Sequence, residues 1–395
     1  MAIDFACGRS HPLASINTVN IDKAEPYNAV CAVKREIESD KTRHSIAAGG
    51  THQVILLGSS LMVAPALQDQ ALFMGHEFKR FHERRLSSFE KYLGEAVQTQ
   101  ASHVPAVRSY CLAMGGQMAS DASLIARQIV PLASQAGPVS VIYGIAPRDF
   151  HDNLFPRIDS SPAFKIFAEL NDLPQLFRSE PSMNAVDQSS ATFERLSSLY
   201  RYRSDWQKLA EIRGKRIIEK CLPEVVFDKY YDTAVLKPQK KGLLAGEAIG
   251  TPSVVPGAAL DHNDWLKTEA EYRRRYIPLN QQKTEAQFAY LDKLIQYCQS
   301  ERVNLMVVNM PLSEDNLKLL PPQSYSNYLA NAKKLCRLAG VEFVDLNCAP
   351  WTANSNFVDS VHLAPERSKA FMQKLASIIA GSSLTLATKT KRQPI

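Results

Sequence analysis

Gly58-Ser59-Ser60-Leu61 follows the apolar run Val54-Ile55-Leu56-Leu57, and Asp359-Ser360-Val361-His362 stands close to the other end of the chain. The first segment reads as a strand ending in a sharp turn with a hydroxyl at its tip. The second puts a carboxylate and an imidazole on one loop. A hydroxyl is a poor nucleophile at neutral pH, so acyl transfer needs a base within hydrogen-bond reach, an orienter for that base and donors for the oxyanion. Ser60, His362 and Asp359 supply the first three of these groups as nucleophile, base and orienter. Each segment alone has a plain structural alternative: Ser59 and Ser60 as caps of the following helix, Asp359 and His362 as surface decoration. The pairing favours chemistry, because one segment follows the first sheet strand and the other the last, and active sites of open α/β sheets gather at the carboxyl ends of strands.

The elements that must position these groups alternate. Val54 to Leu57 predicts a strand leading into a helix from about Leu61 to Phe73. Val107 to Ala113 predicts a second strand, closed by Gly115-Gly116 and followed by a helix from Ser120 to Leu132 with Ser120 as N-cap. Val139 to Ile145, bounded by Gly137-Pro138 and Pro147, predicts a third. The pattern resumes with a helix at Ala286 to Cys298, a strand at Val303 to Asn309, a helix at Tyr328 to Ala339, a strand at Val341 to Leu346 and a last helix opening at Pro365. Continuous apolar strands between helices argue for a parallel sheet covered on both faces. The expected fold is therefore α/β, a flavodoxin-like three-layer sandwich with a central, mainly parallel sheet and a large, mostly helical insertion.

That organisation divides the chain into a polar, weakly patterned N-terminal extension (1–50), a first part of the α/β domain (51–156), an insertion (157–279), a second part (280–382) and a basic tail (383–395). The insertion contains helical stretches such as Ala191 to Cys221, and Leu236 to Asp264 reads as an irregular, mobile loop rich in Gly, Pro and Lys.

With 395 residues, 45% hydrophobic, the chain is long enough for a sizeable core. Net charge is +6, but Lys and Arg alternate with Asp and Glu, so nucleic acid is not indicated as a partner. The compact basic patch at Lys389, Lys391 and Arg392 reads as a solvated tail. Seven scattered cysteines with no CxxC pair fit reduced thiols. The first residues lack a signal peptide, and no window reaches the roughly 18 apolar residues of a membrane span. A cytoplasmic protein is expected; attachment to a membrane through a partner would leave no trace of this kind.

The two chemical segments resemble the first and last blocks of the SGNH, or GDSL-type, hydrolase and acyltransferase superfamily, Gly-Asp-Ser-Leu and Asp-x-x-His. The resemblance covers roughly residues 50 to 156 and 280 to 382. It implies Ser60 as nucleophile with His362 and Asp359, and an oxyanion hole made by the Ser60 N–H and a glycine of the second block. That block falls on Ala113-Met114-Gly115-Gly116-Gln117, with Gly116 the better match and Gly115 next. The third block departs: the family has Gly-x-Asn-Asp, and this chain has Gly144-Ile145-Ala146-Pro147-Arg148-Asp149-Phe150-His151-Asp152-Asn153. Either Arg148 or Asn153 takes over as side-chain donor, or the hole has fewer donors, one donor being worth ~3 kcal/mol. Arg148 pairing structurally with Asp149 or Asp152 is the alternative.

Ser59 in place of the first-block Asp, and Val307-Val308-Asn309-Met310-Pro311-Leu312, resemble more narrowly the branch of the D-alanyl-transfer and alginate-acetylation proteins and the SGNH-like proteins of cyanobacteria. This implies a serine esterase or O-acyltransferase acting on acylated glycans, an acylated small molecule or polysaccharide as partner, and a membrane-bound O-acyltransferase beside it. No cofactor and no metal are implied. The competing reading is a non-catalytic module that keeps the fold and binds a glycan or a partner protein. His76 and His82, among Glu77, Glu83, Arg80, Arg84 and Arg85, read as a solvated helix face, and Tyr200, Tyr202 and Trp206 as packing of a helix face.

Overall fold

The structure is a computed structural model that describes residues 21–44, 51–75, 84–98, 106–203 and 262–382, with isolated positions between 204 and 261. It is α/β, with one five-stranded sheet, all parallel, in the order β2-β1-β3-β4-β5. The strands are β1 (His52–Gly58), β2 (Val107–Cys111), β3 (Val139–Ile145), β4 (Asn304–Asn309) and β5 (Glu342–Asp345). β1 and β3 are buried along their whole length, as expected of central strands covered on both faces. Successive side chains point to opposite faces, so Val54 and Leu56 enter one core together with Leu61, Phe89, Phe371 and Leu375. Helices Ser60–Met74, Ser87–Gln98 and Pro365–Gly381 pack on one another there. Helices Ala119–Ala136, Gln281–Ser300 and Ser324–Leu338 form the other packed set.

All five expected strands are present. Three differences concern helices. The N-terminal stretch expected to be weakly patterned contains a helix, Ile21–His44, which buries Ala29, Val33 and Ile37 at four-residue spacing and ties Asp40 to Arg108 of β2 at 2.9 Å. Ser120 is not an N-cap. The helix begins at Ala119, the Asp121 carboxylate accepts the Met118 N–H at 3.0 Å, and the Ser120 N–H donates to Gln287 Oε1 at 2.8 Å. A helix His262–Tyr276, on residues assigned to the insertion, buries Tyr272 and Tyr276 in the core of the α/β unit.

The chain divides into two compact units, Met1–Asn28 with Arg157–Leu243, and Ala29–Pro156 with Leu244–Ile395. In the first, of the short helices Pro162–Phe167, Leu173–Ser179, Ala185–Leu196 and Ser198–Arg201, the first and the last two are tied together by arginines. Arg195 Nη2 reaches the Phe164 carbonyl and Arg201 those of Ile166 and Ala168. Trp206, most of the stretch expected to continue to Cys221, all but the end of 236–264, His76, His82 and the tail 383–395 lie outside the described residues.

The sheet order places a topological switch point between β1 and β3, where the connections leave in opposite directions. There Gly58 faces Gly144 in register. A Cβ on Gly58 would stand 2.7 Å from the Gly144 carbonyl oxygen, and one on Gly144 2.8 Å from Met62 Cε and 2.9 Å from Met310 Sδ. Gly58 also has φ +142°, a conformation L side chains rarely adopt. Gly58→Ala is therefore expected to cost roughly 3 kcal/mol or more, as strain and overpacking together, in a urea unfolding titration. A loss under 1 kcal/mol would mean that the two strand ends can part without consequence.

Candidate active site

Gly58 ends β1 and Ser60 opens the helix Ser60–Met74, so the hydroxyl stands at the carboxyl end of the sheet. Ser59 occupies the N-cap position in extended backbone but makes no side-chain cap bond. The capping alternative therefore does not account for either serine. Ser60, as the first helical residue, has an N–H with no intrahelical acceptor.

The last block forms a tight loop before the helix Pro365–Gly381. Val358 N–H donates to the His362 carbonyl at 2.9 Å, and Phe357 and Leu363 form an antiparallel bridge. Within the loop, Asp359 Oδ1 accepts the backbone N–H groups of Val361 at 2.8 Å and His362 at 2.7 Å. Its Oδ2 lies 2.8 Å from His362 Nδ1. With that ring proton on Nδ1, Nε2 is free to accept, and the Ser60 hydroxyl lies 3.0 Å from it. Burial alone would raise the Asp359 carboxyl. The neighbouring His362 and the hydrogen bonds outweigh it and hold the group below the ordinary carboxylate range, so it is ionised at neutral pH. All three groups are nearly or fully buried. From outside the loop, the Ser313 hydroxyl donates to the Ser360 carbonyl at 2.5 Å, and its oxygen accepts the Asn316 N–H at 3.1 Å.

The second block arrives through Gln117. Its Oε1 accepts the Gly58 N–H at 2.6 Å and its Nε2 donates to the Leu112 carbonyl at 3.1 Å, bridging the ends of β1 and β2. Gly116 beside it has φ +77°, in the left-handed region. A Cβ there would stand 3.5 Å from Arg148 Nη2 and 3.5 Å from the Phe155 ring.

Of the two substitute donors, only Arg148 comes to this place. Asn153 gives its side-chain amide to the Pro278 carbonyl at 2.8 Å. Ala146 stands where the family has asparagine, and Arg148 lies on the 3-10 turn Pro147–Asp149 just beyond it. Arg148 Nε donates to Asp152 Oδ2 at 3.1 Å, and Arg275 binds the same carboxylate oxygen. The structural pairing foreseen for Arg148 is thus present, and it leaves the Nη2 side turned to Gly116. Burial would lower the Arg148 guanidinium, but Asp152 and Asp149 hold it above its usual value, so it is charged at every accessible pH.

Asp149 is the unexpected member. Its Oδ2 accepts the Ala146 N–H at 2.9 Å, the Ser59 hydroxyl bonds to the same carboxyl group, and Arg148 Nη1 is 3.6 Å from Oδ1. Complete burial pushes its pKa up to about 7, against the lowering pull of Arg148, Ala146 and Ser59. Gln117, Asp149, Arg275, Ser313 and Asn316 were not singled out as functional from sequence. Each has at least one partner remote in the chain, and only the Asp149 position beside Arg148 in the altered third block is a visible signal.

Among the described residues, no three His, Cys, Asp or Glu side chains converge as a metal site, and no helix is long and apolar enough to cross a membrane. No protein-family model matches the chain, and no curated protein is similar to it. What the site can do chemically is therefore argued from its geometry.

The raised Asp149 pKa has a definite sign in stability. Between pH 4 and 7 the unfolded carboxyl ionises while the folded one stays protonated, so folding stability falls as pH rises through that window and the penalty is complete above it. Asp149→Asn keeps an acceptor for the Ala146 N–H and is neutral throughout. Relative to wild type it is expected to gain about 2–4 kcal/mol between pH 4.5 and pH 8 in urea unfolding. A pH-independent difference would show that Asp149 titrates normally.

Proposed function

We propose that the chain is a serine esterase or O-acyltransferase of the SGNH type that works through an acyl-enzyme, with an acylated glycan or similar ester as substrate. The observation that carries this is the unbroken relay Ser60–His362–Asp359, with heavy-atom separations of 3.0 and 2.8 Å across 302 residues of chain. Separations of this size suit proton transfer. The relay sits at the switch point of the sheet, where open α/β folds place ligands.

In the proposed reaction Ser60 Oγ attacks the acyl carbonyl while its proton passes to His362 Nε2, and Asp359 holds the imidazolium that results. The tetrahedral oxyanion lies against the Ser60 and Gly116 N–H groups, with Arg148 as a charged third donor in place of the family's asparagine. Collapse expels the alcohol, which takes the proton from His362. Water or a sugar hydroxyl then attacks the acyl-serine, gives its proton to His362, and returns Ser60 with its proton when the second tetrahedral species collapses.

A fluorophosphonate probe tests the reading directly, since attack by the serine expels fluoride and leaves a covalent label. Labelling of the full chain is expected at Ser60 and is expected to vanish in Ser60→Ala. Asp359→Asn, which disturbs the tautomer and orientation of His362, should slow labelling by on the order of 10³–10⁴-fold. A folded wild type that takes no label would instead favour the non-catalytic glycan- or protein-binding module.

A further inference from the structure

The placement of Arg148 goes further than a substitute donor requires. Its side chain is 3% exposed, and its three nitrogens face three different surroundings. Nε is committed to Asp152. Nη1 stands 3.6 Å from Asp149 Oδ1, outside hydrogen-bond range. Among the described residues Nη2 has no hydrogen-bond partner, and it adjoins Gly116, on the side where the acyl carbonyl is proposed to lie. The 15-residue helix Ser60–Met74, joined to this segment by the Ser59–Asp149 bond, has no acidic residue in its first turn to meet its positive end.

We propose that Arg148 makes the acyl pocket a binding site for a free monocarboxylate, the acid that water attack on the acyl-serine would release. The identity of the ligand as product rests on the esterase reading; the site itself does not. An asparagine offers a neutral dipole, which holds an oxyanion in the transition state and a carboxylate only weakly. A guanidinium offers full charge to both, and charge-assisted hydrogen bonds to carboxylates are roughly twice as strong as neutral ones. The acid produced by hydrolysis is therefore retained, whereas the uncharged ester produced by transfer to a hydroxyl is not. Such a pocket slows turnover with water as the free acid accumulates and leaves transfer unaffected by its own product.

The neighbouring charges set the pH dependence. Arg148 and Arg275 share the one carboxylate of Asp152, and Glu271 meets Arg275 on its other side. Tyr272 packs near both arginines, its phenol pushed up to about 12 by burial and so neutral. Asp359 is taken up by His362 and two backbone N–H groups. Asp149 is the remaining acidic neighbour, protonated below about pH 7 and anionic above. Acid binding is therefore expected to be several-fold tighter at pH 6 than at pH 8.

The experiment uses the full chain with sodium acetate as probe and acetamide as its uncharged counterpart, at fixed ionic strength. Acetate binding is read by saturation-transfer NMR, and protection of Ser60 by the rate of fluorophosphonate labelling. Acetate is expected to bind and to slow labelling saturably, acetamide to do neither, and Arg148→Gln to weaken acetate at least tenfold. Should Arg148→Gln not fold, the contrast of acetate with acetamide on wild type decides. Acetate no better than acetamide, acetate binding unchanged in Arg148→Gln, or inorganic phosphate protecting where acetate does not would each overturn the proposal. Acetate binding that depends on Arg148 in a chain that takes no label would leave the carboxylate site standing and remove the esterase. Labelling of Ser60 without acetate binding would do the reverse.

Discussion

The close approach of two backbones at the ends of β1 and β3 is the constraint on which the site depends. Gly58 and Gly144 face each other, and a Cβ on Gly58 would run into the Gly144 carbonyl oxygen while one on Gly144 would press on Met62 and Met310, so the pair lets the chain leave β1 and turn at once into the helix Ser60–Met74. A bulkier pair would separate the strand ends and move the helix start, and with it the Ser60 hydroxyl. Gln117 holds the same point from the other side by accepting the Gly58 N–H and donating to the Leu112 carbonyl. One glutamine thus fixes the spacing between the Ser60 turn and the glycine turn at 115–116. In the proposed reaction small displacements here matter, because proton transfer tolerates only a few tenths of an ångström in donor–acceptor separation.

The helix His262–Tyr276 is bonded both to the segments that hold the Asp359–His362 loop and to the segment that carries Arg148. Toward the last block, the Tyr276 hydroxyl donates to Asn316 Oδ1, and the Asn316 N–H donates to Ser313, whose hydroxyl holds the Ser360 carbonyl. Toward the third block, Arg275 shares Asp152 with Arg148, and the Tyr276 carbonyl lies 3.1 Å from His151 Nε2. The shared carboxylate is fully buried, so its two arginines are interdependent. Losing either leaves a buried charge poorly compensated, at a cost of about 3–5 kcal/mol for such pairs. The loop of His362 and the side chain of Arg148 are thus both linked to one element.

Much of this was legible in the sequence, and the reasons differ by element. The apolar runs at 54–57, 139–145 and 303–309 announce central strands because both faces are covered, and β3 is bounded as expected because Gly137-Pro138 and Pro147 interrupt the ladder on either side. The order of motifs along the chain pointed to Ser60, Asp359 and His362, which the structure brings together. The helix Ile21–His44 is hard to read from sequence because Pro26 falls inside it and its apolar positions stand among charged residues. Ser120 is of a type that favours the cap position, but an acidic residue one step later and a glutamine from a distant helix meet the N–H groups at this end. Nothing local in the sequence shows that Arg148 rather than Asn153 comes to lie beside Gly116. That choice is made by Arg275 and Pro278, more than a hundred residues away.

The two outer strands of the sheet are finished in different ways. β2 is bordered by an antiparallel bridge from Arg85 to Tyr110, with the Arg84 carbonyl accepting from Cys111 and the Leu86 N–H donating to Ser109. β5 is only four residues long, begins with an exposed glutamate and ends with an aspartate paired to Lys333. An unpaired edge is a template on which other chains can add strands, and brevity, charge and a covering segment are the known remedies. All three are used here, the covering segment at β2 and brevity with charge at β5, so the sheet offers little purchase for aggregation by strand addition.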